Sequence, residues 1–232
     1  MKTIVMIPTY NEAGNIEGLI NEILALPLEL SVLVVDDLSP DKTYEIVKQM
    51  SDNDPRVMLL LRKENRGRGW AGIDGFKKAL ELGADYIVEM DGDFSHSPKY
   101  IPNFIAAAIN ADVVIGSRYA NGGKDDERTF LRKSISFFAR KYIATVLGVK
   151  VQDSTSGFRL FSHSALEKII VDLSARDPFI VSEVLYSAHK NKLKIVEVPI
   201  EFMPRAKGVS KLQASTLIKY LLRVLCLRFK CS

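Results

Sequence analysis

The chain has 232 residues, 47% hydrophobic and 26% charged, and its 32 basic against 28 acidic side chains leave a net charge of +4. That balance fits one large globular domain, or a domain with a small appendage, and excludes a disordered or low-complexity chain. The two cysteines, Cys226 and Cys231, both stand near the C-terminus, which excludes a disulfide framework or zinc-ligand spacing and fits a reducing compartment.

The first residues enter an apolar strand at 4–7 without the pattern of a signal peptide, and no apolar run reaches the roughly 20 residues of a spanning helix. The body is expected to be soluble. The mild positive charge suits phosphorylated ligands or an anionic membrane surface and does not indicate nucleic acid.

Residues 3–7 predict a strand ending at Pro8, followed by the polar loop Thr9-Tyr10-Asn11-Glu12 and a helix over about 14–26, the start of an α/β unit. A continuous apolar strand at 32–35 runs into Asp36-Asp37-Leu38-Ser39-Pro40-Asp41-Lys42-Thr43 and a helix to about residue 50, where Asp41 and Glu45 also suit a helix N-terminus. Residues 57–61 predict a third strand, buried on both faces because it does not alternate. The basic, glycine-bearing loop Arg62 to Trp70 opens a helix over about 71–82. Two readings of that loop stand side by side, an anion site at a helix N-terminus and a solvated turn; it meets neither the Walker nor the dinucleotide glycine spacing.

Residues 86–90 predict a buried strand that runs into Asp91-Gly92-Asp93. Carboxylates at the carboxyl end of such a strand point into the ligand crevice of an open α/β sheet, and two hard oxygens at i and i+2 suit Mg²⁺ or Mn²⁺. Asp-Gly is also ordinary turn chemistry, so a plain surface turn stands as the alternative. For His96, in the following Phe94-Ser95-His96-Ser97-Pro98, a structural role is expected over contact with phosphate. A helix near 101–109 and a strand at 112–116 ending in Ser117-Arg118-Tyr119 complete a doubly wound, mostly parallel sheet. A charged loop at 120–128 precedes a helix at 129–147, on which Arg132 and Ser136 share a face. The polar loop 153–159 leads to a short strand at 160–161, helices near 164–170 and 181–191, a strand at 194–202 and a second basic loop at 205–211. The tail from 212 to 229 predicts a basic amphipathic helix with Lys219, Arg223 and Lys230 on one stripe. It is expected to lie in a membrane interface, with packing on the domain or a second subunit as the alternative. The domain division that follows is a body over residues 1–211 and a helix within 212–232.

A divalent cation, several arginines and no serine-histidine-acid or cysteine-histidine arrangement point to transfer from a phosphate-activated donor, in which the metal offsets charge on the departing diphosphate. Glu12 and Asp37, at the ends of the first two strands, can accept hydrogen bonds from a nucleoside in the same crevice.

Pro8 to Glu12, Val35 to Asp41, Asp91 to Pro98, Gly116 to Tyr119, Thr155 to Arg159 and Arg205 to Lys211 appear in the order found in polyprenol-phosphate hexose synthases, and over about residues 3–212 the chain resembles that branch of glycosyltransferase family 2, its dolichol-phosphate mannose synthases above all. The resemblance implies a glycosyltransferase A fold and transfer of a hexose from a nucleotide sugar, typically GDP-mannose, to a polyprenyl phosphate. It implies that Pro8, Tyr10, Glu12 and Asp37 bind the nucleoside, that Asp91, Gly92 and Asp93 take the metal and diphosphate, that Arg205 and Lys211 cover the donor phosphates, and that Arg118, Arg132 and Ser136 bind the acceptor phosphate. Asp91, Asp93, Arg118 and Arg132 are then the catalytic set. A lipid phosphate is already ionised at neutral pH, so no indispensable general base is expected; arginines must instead bring two anions together in line.

The family's Gly-Leu-Gly pattern is here Gly67-Arg68-Gly69, with a charge at its centre. Relatives often append spanning helices, so membrane attachment on the cytoplasmic face is expected to come from the C-terminal helix, a membrane-anchoring protein partner or the lipid substrate. Two alternatives remain: a glucosyl or amino-sugar transferase of the same family using a UDP-sugar, and a nucleotide-binding, membrane-associated scaffold without turnover.

Overall fold

The computed structural model describes residues 1–124, 130–203 and 214–229, and the side chains of 130–136 and 214–217 lie outside that description. The elements are β1 (Thr3–Thr9), α1 (Ile16–Leu24), β2 (Leu30–Asp36), α2 (Thr43–Asn53), β3 (Val57–Leu61), α3 (Arg68–Glu81), β4 (Tyr86–Glu89), α4 (Ile101–Ala108), β5 (Val113–Ser117), α5 (Phe130–Leu147), β6 (Arg159–Ser162), α6 (His163–Ile170), α7 (Ile180–Lys190), β7 (Ile195–Pro199) and α8 (Ala214–Phe229). The strands pair in the order β3-β2-β1-β4-β6-β5-β7.

Alternation along the central strands builds two cores, one on each face of the sheet. Ile4, Met6, Leu33 and Val35 face α3, α5, α6, α7 and α8, while Val5, Ile7, Val32 and Val34 face α1, α2 and α4. All strands but β6 run in one direction; β6 is antiparallel to both β4 and β5. It therefore separates two strands that are consecutive in the parallel set, an insertion that apolar pattern does not reveal.

Three expected boundaries shift. β3 is an edge strand paired to β2 alone, so residues 58–61 are half-buried rather than covered on both faces. α3 begins at Arg68 rather than near 71, because Gly67 caps it at φ 138° and its carbonyl accepts the Ala71 N–H (2.9 Å). The last strand of the sheet ends at Pro199, beyond which Glu201 bridges to Lys124.

α8 lies against α5 and α7. The Tyr142 hydroxyl donates to the Leu221 carbonyl (3.1 Å), Tyr220 and Ser182 share a hydroxyl hydrogen bond (2.8 Å), and Val224 is fully buried. Arg223 follows Lys219 by four residues on one helical stripe and, with 43% of its side chain exposed, reaches to Asp177 (2.6 Å) and over the Phe179 ring (4.1 Å). Lys230 lies outside the described residues. The opposite side of α8 exposes Ile218, Leu222 and Phe229, and α5 exposes Phe137 and Phe138. Among the described residues, no helix is long and apolar enough to cross a membrane.

Candidate active site

The carboxyl ends of β1, β2 and β4 meet at one crevice, and the loops beyond them are tied together by short polar side chains. Asp36, fully buried, accepts from the Thr9 hydroxyl (2.8 Å) and from the Ser39 amide and hydroxyl (2.8 and 2.7 Å). The backbone amides of Asn11, Glu12 and Ala13 donate to Ser39 Oγ (3.0 Å), Thr43 Oγ1 (2.9 Å) and Asp41 Oδ2 (2.9 Å). This lacing holds Tyr10 and Glu12 at the rim, with 54% of Tyr10 exposed. Each of the three loops also contains a non-glycine residue at positive φ: Asn11 (64°), Leu38 (51°) and Phe94 (62°). Bulky residues in that region cost energy and persist where the surroundings over-determine them, as functional loops often do.

A cavity of about 350 Å³ is lined by Pro8, Thr9, Tyr10, Asp37, Arg66 and Arg68, among others. Asp37 orders its basic wall: one carboxylate oxygen takes the Arg62 guanidinium and the other the Gly67 amide (2.7 Å). The glycines of that loop serve packing, because a Cβ on Gly69 would lie 2.0 Å from the Ala175 carbonyl oxygen and one on Gly67 2.4 Å from that of Arg176.

Arg68 joins the cavity to the acid turn. Its Nη2 donates to Glu89 Oε1 (2.7 Å) and lies 3.6 Å from Asp91 Oδ1. Burial opposes the charge of Arg68, but Glu89 and Asp91 outweigh it and hold the guanidinium above its ordinary pKa. Gly92 lets the turn approach the first loop, since a Cβ there would stand 3.3 Å from Thr9 Cγ2 and 3.4 Å from Glu12 Cγ. Asp93 is buried and accepts from the Ser95 amide (3.0 Å) and hydroxyl. The Asp91 carboxylate is 38% exposed and lies beside Gly157, where a Cβ would be 3.9 Å from both its oxygens.

Among the described residues, no group of three or more metal-type side chains is assembled. Two carboxylates are too few for an all-protein cage, yet their hard oxygens fit a Mg²⁺ or Mn²⁺ ion that takes its remaining ligands from water and a diphosphate. His96 takes a structural place. It is 3% exposed, stacks on Phe158 at 5.0 Å and accepts the Asp91 N–H at Nδ1 (3.1 Å). Burial pushes its imidazole below the ordinary value against the opposing pull of Asp91 and Asp93.

Arg118 follows β5 and grips Asp153 through Nε and Nη2, both at 2.8 Å, with Nη2 also donating to Thr155 Oγ1 (2.8 Å). Its guanidinium lies 5.2 Å from the Phe202 ring, whose far neighbour is His96 at 5.7 Å. Burial raises the Asp153 carboxyl, and the hydrogen bonds and charge of Arg118 overcome it, leaving the group below its ordinary value. A second groove, about 710 Å³, is walled by Tyr119, Phe137, Arg140 and Lys141, among others.

The structure thus brings Pro8, Tyr10, Glu12, Asp37, Asp91, Gly92 and Asp93 together and leaves Arg118 further along the sheet. Arg132 and Ser136 belong to α5, one turn apart, with side chains outside the description. Arg205 and Lys211 lie outside the described residues; Met203, the last residue described before them, donates its amide to the Ser95 carbonyl (3.2 Å) beside the acid turn. Sequence reading missed Asp36, Glu89 and Asp153 as organisers of the site, and Arg159 as the buried residue paired across the sheet with Glu89. A glutamate closing an apolar strand and an arginine opening another were the available signals: Glu89 and Arg159 are cross-strand partners on β4 and β6.

Residues 4–170 match the family described as Glycosyl transferase family 2. The chain is 39% identical over 214 residues to the undecaprenyl-phosphate mannosyltransferase of Micrococcus luteus, covering 91% of this chain and 88% of that one. It is 37% identical over 212 residues to the UDP-N-acetylglucosamine–dolichyl-phosphate N-acetylglucosaminyltransferase of Methanococcus voltae, covering 85% and 84%. Among solved structures, glucosyl-3-phosphoglycerate synthase from Mycobacterium tuberculosis, in complex with Mn²⁺, UDP-glucose and phosphoglyceric acid, superposes with a TM-score of 0.72 at 19% identity, covering 100% of this chain and 80% of that one. That likeness is one of fold, the glycosyltransferase A arrangement.

Proposed function

The chain belongs to glycosyl transferase family 2, and we propose that it transfers mannose from GDP-mannose to a polyprenyl (dolichyl) phosphate with inversion at the anomeric carbon. One observation carries this reading: the cavity walled by Pro8, Tyr10 and Asp37 shares Arg68 with the acid turn at the end of β4, so a nucleoside and its diphosphate have adjoining places in a single crevice. The Micrococcus relative supports the sugar and the lipid phosphate.

In this reading Tyr10 offers its exposed ring to the base, and Pro8, Glu12 and Asp37 meet the nucleoside. Asp91 and Asp93 would hold Mg²⁺ or Mn²⁺, which when bound offsets charge on the departing diphosphate. Gly92 leaves space for close approach of the donor, and Arg205 and Lys211 cover its phosphates. Arg118, fixed by Asp153, contributes a positive charge that cannot swing away from the acceptor side, and Arg132 and Ser136 take the acceptor phosphate itself. The bond from the anomeric carbon to the diphosphate oxygen breaks as a lipid-phosphate oxygen bonds from the opposite face. No proton moves in that exchange, so no side chain serves as general base.

The acceptor approaches by the groove at Tyr119, Phe137 and Arg140. The exposed apolar residues of α5 and α8 rest on the cytoplasmic face of the membrane that holds the lipid, alone or with a membrane-anchoring protein partner. A second reading, transfer of an amino sugar from a UDP-sugar, is favoured by the Methanococcus relative.

The test is a panel of GDP-mannose, UDP-glucose and UDP-N-acetylglucosamine with Mn²⁺ or Mg²⁺ and a polyprenyl phosphate, scored for lipid-linked sugar. GDP-mannose should give lipid-linked mannose, and Asp93→Ala should lower turnover at least about a hundredfold while the protein stays folded. Product from UDP-N-acetylglucosamine alone would replace the mannose reading with the second one, and product from UDP-glucose alone, or no lipid-linked product from any donor, would end both.

A further inference from the structure

The charge at the centre of the Gly67-Arg68-Gly69 loop has no role in the reaction as written above. We propose that Arg68 is a donor-site cation that holds the nucleoside diphosphate both beside a divalent metal and without one, by turning its guanidinium from Asp91 to the phosphates. The proposal rests on the donor-site reading under Proposed function and adds to it a residue and a consequence for metal dependence.

Position is the first argument. Arg68 lines the same cavity as Pro8, Tyr10 and Asp37 and comes within 3.6 Å of the Asp91 carboxylate. A ligand with its nucleoside in that cavity and its phosphates at the acid turn must pass this guanidinium.

The second argument is how little Arg68 uses its own hydrogen-bonding capacity. Nη2 donates to Glu89 Oε1 (2.7 Å), whereas Nη1 is buried with no hydrogen-bond partner among the described residues. Nη1 lies over Gly72, where a Cβ would stand 3.3 Å from it, so the missing side chain gives the guanidinium its space. A planar fork with a buried NH₂ group unsatisfied gains by meeting a phosphate, which accepts two parallel hydrogen bonds. The salt bridge to Glu89 anchors the group near the turn through that movement.

Electrostatics gives the third. In the absence of metal, Glu89 at the end of β4 and Asp91 and Asp93 in the turn beyond it would repel a diphosphate; Arg68 offsets part of that charge at the point where the anion arrives. A divalent ion supplies the same compensation more strongly, so the contribution of Arg68 is largest when metal is scarce.

GDP binding to wild type, Arg68→Leu, Arg68→Gln and Arg68→Lys is measured by calorimetry in EDTA and again in saturating Mn²⁺, with thermal unfolding of each ligand-free protein as the check on folding. In EDTA, Arg68→Leu and Arg68→Gln should bind GDP at least about tenfold more weakly than wild type, with Arg68→Lys between them. In Mn²⁺ the gap should shrink to about threefold or less. Equal affinities in EDTA, or the same loss in both conditions, would overturn the inference, the latter because it describes a side chain that only shapes the pocket. Wild type that binds GDP with Mn²⁺ and not in EDTA overturns it while leaving the donor site standing. Wild type that does not bind GDP even with Mn²⁺ overturns the GDP donor site and the inference together.

Discussion

Asp153 has no solvent exposure, and the Arg118 it holds is 6% exposed. A buried pair of this kind is costly to halve, because the partner left behind keeps its charge without its counter-ion. Asp153→Asn is therefore expected to cost about 3 kcal/mol at neutral pH, read from denaturant unfolding. The pH dependence has a definite sign. The folded carboxyl titrates below its ordinary value of 3.8, so its stabilisation is present above that value and is lost as pH falls through the folded pKa. The gap between wild type and Asp153→Asn should hold steady from neutral pH down to about 4 and narrow below it; a gap that widens on acidification would contradict the ion-pair account. This residue also shows where sequence reading stopped. Asp153 reads as one more polar loop residue, because its meaning comes from Arg118, 35 positions away. The strand and turn of Asp91-Gly92-Asp93, by contrast, were legible from local pattern, since strand, carboxylates and glycine are contiguous, while that pattern alone left a metal platform and a plain surface turn side by side.

At the level of elements, the helices and the parallel strands follow from apolar periodicity, and the loops that build the site follow from polar residues at strand ends. The reversed strand β6 did not, because a short apolar strand carries no mark of direction. Nor did the edge position of β3, since an unalternating run reads as doubly covered until its neighbours are known. α8 meets the expectation of packing on the domain, and its outer side stays uncovered among the described residues. Tyr220, Val224 and the surface ion pair of Arg223 with Asp177 dock on the domain, while Ile218, Leu222 and Phe229 remain exposed. If that outer side rests on a bilayer, Ile218→Asp with Leu222→Asp should weaken sedimentation with anionic phospholipid vesicles by at least about tenfold, each lost apolar side chain being worth about 1.5 kcal/mol or more. GDP affinity in solution should not change. Unaltered vesicle binding would show that another surface, or the lipid substrate, makes the attachment.

For the whole molecule, the two-faced sheet brings the ends of β1, β2 and β4 to one edge and sets Arg118, just after β5, further along it, an order suited to meeting a donor and an anionic acceptor from different sides. In the proposed function the nucleoside cavity and the acid pair form one donor site. That arrangement is tested most directly by a crystal of the protein grown with GDP and Mn²⁺, with anomalous scattering locating the metal. The expected result is a manganese peak at the Asp91 and Asp93 carboxylates, with the diphosphate beside it and the base against Tyr10. A nucleotide bound away from Pro8, Tyr10 and Asp37, or a metal peak remote from both carboxylates, would contradict the account.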